Sequence, residues 1–243
     1  MMATTTLEGR NVVIEALKRG RRVFEIKIEA SAGGDKIAEI KSLAARNGVT
    51  VAYAPKKELD RLSKTDSHQG VVAVAGQIQL QKLSDLLKAN PSPFVVVLRE
   101  VLYEHNLGAI LRCACAAGVD AVILPPTKAH PLTPVVERVS MGASNCVGVV
   151  QESPYSALAT LKKNGLSIVG VEVTGTINYF DADLRGPMAM IFGGEDAGLS
   201  LPIMEKCDIV VRVPMENALQ SLNQSVSAAL VMFEKVRQEK YAK

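Results

Sequence analysis

The sequence predicts an α/β fold: a mostly parallel, doubly wound sheet preceded by a smaller α/β unit. Helical and strand patterns alternate along nearly the whole chain, which is typical of sheets with helical crossovers. Residues 94–102 (FVVVLREVL) begin with an apolar run, as expected for a strand covered on both faces. Residues 23–30 (VFEIKIEA) alternate apolar and charged side chains, which indicates a half-buried strand earlier in the chain.

The first eighty residues contain enough elements for a small domain of their own. In residues 23–30 the alternation places Phe24, Ile26, Ile28 and Ala30 on the buried face. The expected helices are 8–20, 35–48 and 56–63, and the expected strands are 23–30, 49–54 and 70–77. A short helix then leads into a Pro-Ser-Pro turn, which suits a linker. We therefore expect an accessory domain at 1–78, a linker at 79–93 and a main domain at 94–243.

The main domain continues the alternation to the end of the chain. Its expected strands are 94–102, 119–125, 147–151, 166–173, 187–195 and 208–214. Its expected helices are 104–117, 133–143, 153–165, 199–207 and 221–242, and residues 174–186 form a polar loop. No internal repeat interrupts this order.

Composition indicates a globular protein with a substantial core, because 48% of the residues are hydrophobic and 22% are charged. No apolar run is long enough for a bilayer, and the N-terminal residues lack the apolar stretch of a secretory signal. The four cysteines form no CxxC pair and only three histidines are present, so we expect neither a zinc site nor any other metal. These features predict a cytoplasmic protein without a membrane partner.

The positive charge is concentrated near the N-terminus. Residues 1–80 hold 13 Lys and Arg against 9 Asp and Glu, whereas the remaining residues hold 15 against 16. A cluster at 18–22 (KRGRR) suits a polyanion-binding module. A solvated helix end with favourable charge near its C-terminus explains the same cluster equally well.

The helix predicted at 104–117 combines an apolar face with polar residues at its start. Residues at helical spacing face the core, namely Leu107, Ile110, Leu111, Ala114 and Ala117. Asn106 stands where a side-chain oxygen can cap the helix. Arg112, inside the apolar run, must be paired, with Glu195 as one candidate partner, or must face a wet cleft.

Three polar loops follow predicted strands, at 103–108 (YEHNLG), 192–200 (FGGEDAGLS) and 213–225 (VPMENALQSLNQS). Ligands of doubly wound sheets bind beyond the carboxyl ends of the strands, so we expect these loops to meet. Ser221 stands where its hydroxyl can cap the last helix, which is one interpretation of this residue. Asn223 needs hydrogen-bond partners of its own near the first turn.

Together these loops resemble three motifs of the TrmH/SpoU family of RNA ribose 2′-O-methyltransferases, within the SPOUT class. The first motif matches Asn106, Gly108 and Arg112. The second matches Gly193, Glu195, Gly198 and Leu199, and the third matches 213–215 (VPM) and 221–223 (SLN). The segments 8–17 (EGRNVVIEAL) and 67–74 (SHQGVVAV) are similar to the family's accessory RNA-binding domain, which is typical of the branch that acts on large-subunit ribosomal RNA.

The resemblance implies a fold, a reaction and a set of site residues. It implies a C-terminal trefoil knot, a small N-terminal domain like certain ribosomal proteins, and a homodimer whose active sites are completed by the partner chain. It implies methyl transfer from S-adenosylmethionine to a ribose 2′-hydroxyl, with rRNA as the expected partner. The implied catalytic residues are Arg112, Asn106, Glu195, Ser221 and Asn223, and the implied cofactor contacts are Gly193, Val213, Leu222 and Thr174.

Arg112 is expected to hold a phosphate and stabilise the developing alkoxide, because a guanidinium is a poor proton acceptor. The family pattern differs here at 104–105, where Asp-Pro is frequent, at Asp196, where Gly is common, and at Gln224, where Val is usual. Three alternatives stay open from sequence: a tRNA 2′-O-methyltransferase, an antibiotic-resistance rRNA methylase, and a non-catalytic RNA-binding ribosome-assembly factor.

Overall fold

The structure is a computed structural model that describes residues 3–65, 67–129, 132–194, 197–216 and 221–241. The chain divides into two compact units, and the first consists of residues 1–79 together with 131–146. The second unit consists of residues 80–130 and 147–243. None of the helices among the described residues is long and apolar enough to cross a membrane.

The first unit is built on a four-stranded sheet with strand order β1-β4-β2-β3. Its strands are β1 (Thr4–Glu8), β2 (Val23–Glu29), β3 (Thr50–Ala54) and β4 (Val71–Gly76). Its helices are α1 (Arg10–Lys18), α2 (Asp35–Arg46), α3 (Lys56–Leu62) and α6 (Pro134–Val139), with a 3-10 turn at Ala143–Asn145. Strand β4 runs antiparallel to β1 and β2, whereas β2 and β3 are parallel.

Two features of this sheet differ from the sequence expectation. Strand β1 was not expected, because its sequence TTTLE has no alternating pattern; it forms because it pairs with β4 over five residues. On the expected buried face of β2, Phe24 is 38% exposed, and Ala30 is exposed because it lies beyond the end of the strand. The pairing of β2 with β4 shifts register between Val23 and Glu25, and such a bulge turns Phe24 outward while Ile26 and Ile28 remain buried.

Residues 132–146, expected in the main domain, pack within the first unit instead. Arg21 forms a bidentate salt bridge with Glu137 at 2.5 and 3.1 Å, and both side chains are buried. Arg21 also donates to Asn145 Oδ1 at 3.1 Å. A contact between residues more than a hundred positions apart leaves no local pattern, so the sequence could not indicate it.

The second unit contains a seven-stranded sheet with strand order β7-β6-β5-β10-β8-β11-β9. The strands are β5 (Phe94–Leu98), β6 (Ala121–Leu124), β7 (Gly148–Gln151), β8 (Ser167–Val171), β9 (Ile177–Asn178), β10 (Met188–Phe192) and β11 (Ile209–Arg212). Every paired neighbour is parallel. The predicted α/β fold with a mostly parallel sheet is therefore confirmed.

Helices surround this sheet: α4 (Leu83–Ala89), α5 (Glu104–Ala117), α7 (Pro154–Lys163), α8 (Leu201–Met204) and α9 (Gln224–Lys240). Every residue of β5, β6 and β10 is buried, which explains their apolar sequences. The predicted core face of α5 is also buried at all five positions. Helices α5 and α9 pack against each other, and this brings the start of α9 to the carboxyl ends of β5 and β10.

Candidate functional site

A cavity of about 400 Å³ lies at the carboxyl ends of β8, β10 and β11. Parallel strands end at the same edge of a sheet, so the loops that follow them meet there. All four residues expected to contact a cofactor line this cavity, namely Thr174, Gly193, Val213 and Leu222. Ser221 lines it as well, so residues from three separate loops share one wall.

The glycines of the loop after β10 allow it to fold back closely on itself. A Cβ atom on Gly193 would overlap the backbone of Gly198 and lie 2.7 Å from the nitrogen of Leu199. Gly198 has a φ of +51°, and its N–H donates to the carbonyl oxygen of Gly194 at 3.1 Å. Only glycine tolerates this close approach, so Gly193 and Gly198 set the shape of this part of the cavity wall.

Glu172, which belongs to none of the three motifs, fixes the end of this loop at Leu199. Its Oε2 accepts a hydrogen bond from the N–H of Leu199 at 2.5 Å, and its Oε1 accepts from Val173 N at 2.9 Å. Arg99 fixes the same turn by donating from Nη1 to the carbonyl oxygen of Gly198 at 2.8 Å. Both residues follow buried strands and carry charges at the sheet edge, which is the signal that could have indicated them.

Gln224, which lines the cavity, links the loop after β5 to the loop after β10. Its buried Nε2 donates to the carbonyl oxygens of Glu100 at 2.7 Å and Gly193 at 2.6 Å. The usual valine of the family motif has no donor for either carbonyl. Gln224, at the position where the motif usually has Val, therefore holds the loop after β5 and the loop after β10 together.

Asn106 and Asn223 are brought together from opposite ends of the second unit. Asn223 Nδ2 donates to Asn106 Oδ1 at 3.0 Å, and Asn223 Oδ1 accepts from the N–H of Ser225 at 2.9 Å. Asn223 thus caps α9, so the interpretation of Ser221 as the cap is wrong. The expectation that Asn106 caps α5 is also wrong, because that helix begins at Glu104 and Asn106 lies within its first turn.

Arg112 lies on the solvent-facing side of α5 rather than among its apolar neighbours. Helical spacing places Arg112 on the same face of α5 as His105 and Ala116, which are both exposed. The apolar residues of the core lie on the other face. Of the two alternatives for Arg112, its exposure favours the one in which the guanidinium faces water. Arg112 is not among the residues lining the cavity, and its suggested partner Glu195 lies outside the described residues.

The site offers backbone groups, amides and hydroxyls rather than metal ligands. Within the described part of the chain, no group of three or more His, Cys, Asp or Glu side chains could hold a metal ion. A cavity that combines apolar side chains with a few hydroxyl and amide groups suits a small organic molecule.

The chain matches two family models that together span most of its length. Residues 93–233 match the SpoU rRNA Methylase family. The chain belongs to this family. Residues 6–81 match the model described as RNA 2′-O ribose methyltransferase substrate binding, which coincides with the four-stranded part of the first unit.

Relatives agree with this membership over nearly the whole chain. The Pseudomonas putida 23S rRNA (guanosine-2′-O-)-methyltransferase RlmB is 37% identical over 225 residues, covering 90% of each protein. The enzyme of the same name from Vibrio parahaemolyticus is 32% identical over 247 residues, covering 100% of each. A crystal structure of an RNA 2′-O ribose methyltransferase has a TM-score of 0.81 and 28% identity, covering 97% of this chain and 88% of that one.

Family membership confirms the resemblance inferred from the three motifs. It also confirms the predicted class of enzyme, an RNA 2′-O-ribose methyltransferase, and the S-adenosylmethionine cofactor of that class. The individual roles of the site residues remain predictions.

Proposed function

We propose that this chain methylates the ribose 2′-hydroxyl of a guanosine in 23S ribosomal RNA, in the cytoplasm. The observation that carries this proposal is the cavity at the strand ends, where Thr174, Gly193, Val213 and Leu222 come together from three loops. The RNA target is supported by the substrate-binding match over residues 6–81 and by the names of the relatives. A ribosomal-protein-like first unit fits its four-stranded sheet and basic surplus.

The cavity fits S-adenosylmethionine in size and in the chemistry of its walls. Its volume of about 400 Å³ lies within the range of small-molecule sites. The loop that Gly193 and Gly198 allow to fold closely on itself forms part of the cavity wall, and the Thr174 hydroxyl adds a polar contact. When bound, this cofactor supplies an electrophilic methyl group on its sulfonium sulfur.

The protein's own residues then position the RNA. The Asn106–Asn223 pair lies between the first and third motif loops, where its amides can orient the ribose. Arg112 holds a backbone phosphate and stabilises negative charge on the 2′-oxygen as its proton leaves. Ser221 donates to the RNA backbone, which is the role left to it once Asn223 caps the helix. Glu195 is proposed to position Arg112.

We propose that Arg112 acts in a homodimer, on the cavity of the partner chain. Helix α9 exposes Val226, Leu230 and Phe233, which are 47%, 37% and 44% exposed and lie on one face at helical spacing. An exposed apolar stripe of this kind is typical of a protein–protein interface. Since α9 packs on α5, covering that stripe with a second copy would bring the exposed Arg112 to an interface.

The trefoil knot belongs to the same proposal. Its support is the position of Gln224 at the start of α9, between the loops that follow β5 and β10. A last helix threaded at this point would hold the loops after β5 and β10 in position.

Two variants test the reaction and the position of Arg112. Arg112→Ala is expected to lower methyl transfer to 23S rRNA by about 100-fold or more, as loss of an oxyanion-stabilising group does. The affinity for S-adenosylmethionine, measured by calorimetry, should change less than about twofold, because Arg112 does not line the cavity. Arg185→Ala, a change at an exposed arginine paired with Asp183, serves as the control and should leave both quantities unaltered. Full activity of Arg112→Ala would refute the assignment.

Mixing two inactive variants distinguishes action within one chain from action across a dimer. After co-refolding, Arg112→Ala and a cavity variant such as Gly193→Ala form heterodimers with one intact cavity opposite one intact arginine. About a quarter of wild-type activity should return if the arginine acts on the partner, since half of the dimers carry one working site. No recovery would mean that the arginine serves its own chain.

The target nucleotide is tested by mapping 2′-O-methyl groups in cells with and without this protein. Loss of a methyl group from one guanosine of 23S rRNA is expected. Loss from a tRNA would favour the second candidate function, and no loss together with no cofactor binding would favour a non-catalytic assembly factor.

A further inference from the structure

The first unit contains a cavity of its own, of about 470 Å³. It lies where the start of α1, the end of β2, helix α3 and the loop before β4 meet. Its walls include Arg10, Glu29, Lys56, Asp60, His68 and Gln69. The family match assigns substrate binding to this region as a whole and to no particular residues.

One rim of this cavity is held rigidly by a buried histidine. His68 Nδ1 accepts a hydrogen bond from the N–H of Gly70 at 3.0 Å, so the ring proton lies on Nε2, which donates to Asp60 Oδ1 at 2.8 Å. The next residue, Gln69, has a φ of +54°, a conformation that costs a non-glycine residue energy. Arg10 stabilises it by donating from Nε to the carbonyl oxygen of Gln69 at 3.1 Å.

The opposite rim is held by a buried carboxylate. Glu8 is 1% exposed, and its oxygens accept hydrogen bonds from Ser63 Oγ at 2.6 Å and from Thr65 N at 3.0 Å. Lys64 donates its backbone N–H to the same carboxylate. A connection that only joined α3 to β4 would not need a buried charge, a buried histidine and a strained backbone, so we interpret these features as pre-organisation of the cavity.

The cavity walls carry both signs of charge. Arg10 and Lys56 provide cations for a phosphate, whereas Glu29 and Asp60 provide carboxylates. Free phosphate alone would be repelled by the carboxylates, and a duplex cannot insert a base into a cavity. A single unpaired nucleotide satisfies both sets of groups, because its phosphate meets the cations while an amino group on its base donates to a carboxylate.

We propose that this cavity binds one unpaired RNA nucleotide whose base carries an exocyclic amino group. Lys56 and Arg10 contact its phosphate, and Glu29 accepts from the amino group. Glu29 suits this role because its Oε1 accepts from Ser31 while its Oε2 lies above Gly70, at the cavity wall. The inference rests on the proposed function only in taking RNA as the substrate class.

Cytidine and uridine oligonucleotides of equal length test the base contact, because the two bases differ at one edge by an amino group against a carbonyl. Fluorescence anisotropy with ten-nucleotide oligocytidylate and oligouridylate should show about fivefold to tenfold tighter binding of cytidylate to the full wild-type chain. Glu29→Gln should bring this ratio close to one, because a carboxamide can serve either base edge. Glu25→Gln, on the same strand and outside the cavity, should preserve the wild-type ratio.

A second pair of variants tests the phosphate contact. Lys56→Ala should weaken binding of both oligonucleotides by the same factor and reduce the slope of log affinity against log salt by about 0.7. Lys57→Ala removes the same charge from the neighbouring position of α3, outside the cavity, and should have a smaller effect. Unfolding curves for all four variants establish that the first unit remains folded.

Two results would overturn the proposal: equal wild-type affinity for the two oligonucleotides, or identical losses for Lys56→Ala and Lys57→Ala. The outcome is separable from that of the proposed function. If wild-type protein methylates 23S rRNA but Glu29→Gln keeps the cytidine preference, the nucleotide cavity fails alone. If Glu29→Gln removes the preference while no RNA is methylated, the proposed reaction fails alone.

Discussion

The two cavities of this chain are made of different chemical groups. The cavity of the second unit is lined mainly by apolar and small residues, three of them glycines, whereas that of the first unit is lined mainly by charged and polar side chains. A wall of apolar and small residues depends on shape and suits one molecule of fixed structure. A wall of charged and polar side chains depends on charge and hydrogen bonding, which suits a segment of a polyanion. We therefore expect steric substitutions to impair ligand binding in the second unit's cavity, and charge substitutions to impair the first unit.

The largest effect is expected from a single methyl group in the wall of the second unit's cavity. Gly193→Ala would place a Cβ against Gly198, so the loop must move by more than a few tenths of an ångström. Affinity for S-adenosylmethionine should fall about 100-fold, as measured by calorimetry. Gly33→Ala in the first unit is the matched control, because a Cβ there meets nothing within 4 Å. Unaltered affinity in Gly193→Ala would show that the wall is not shaped as described.

Removing a buried charge should destabilise the first unit strongly. Glu137→Gln leaves the buried Arg21 guanidinium without its carboxylate, and breaking such a pair costs about 3–5 kcal/mol. Glu39→Gln breaks the exposed pair with Lys18 and should cost less than about 1 kcal/mol. Urea unfolding of both variants measures the difference. Equal losses would mean that burial of the Arg21–Glu137 pair has no energetic consequence.

A substitution at Gln224 tests whether its two hydrogen bonds to the loops after β5 and β10 contribute to cofactor binding. Gln224→Leu leaves the carbonyl oxygens of Glu100 and Gly193 without their donor, and the loop after β10 should lose its position. We expect the KM for S-adenosylmethionine to rise about tenfold while the KM for RNA stays within about twofold. Gln151→Leu, at an exposed position of the same unit, is the control. A fall in kcat without a change in either KM would contradict a positioning role.

The smallest effect is expected in the reactivity of the Cys207 thiol in the second unit. Burial, with a contribution from the neighbouring Asp208, raises the pKa of Cys207 to about 11. The reactive thiolate is therefore scarce at neutral pH, and its fraction should rise about tenfold per pH unit from pH 8 to pH 10. Iodoacetamide labelling followed by peptide mass spectrometry should find Cys207 slow in the folded chain and ordinary in urea. Equal rates in both states would disprove the effect of burial.

Local patterns in the sequence were sufficient for most elements and for the family. The buried face of α5 follows from helical spacing, and the all-buried β5 follows from its apolar run. Both depend on residues a few positions apart. The motif loops were expected to meet because parallel strands end at one edge, and Thr174, Gly193, Val213 and Leu222 do line one cavity.

Only the tertiary structure decided features that depend on distant residues. Strand β1 exists because β4 pairs with it, and Phe24 points outward because a bulge shifts the register. Asn223 rather than Ser221 caps α9, since Asn106 and Gln224 fix where that helix begins. Arg112 is exposed although its neighbours are apolar, because the helix turns it away from the core. Sequence spacing determines which residues share a face, whereas contacts across the fold determine which face is covered and by what.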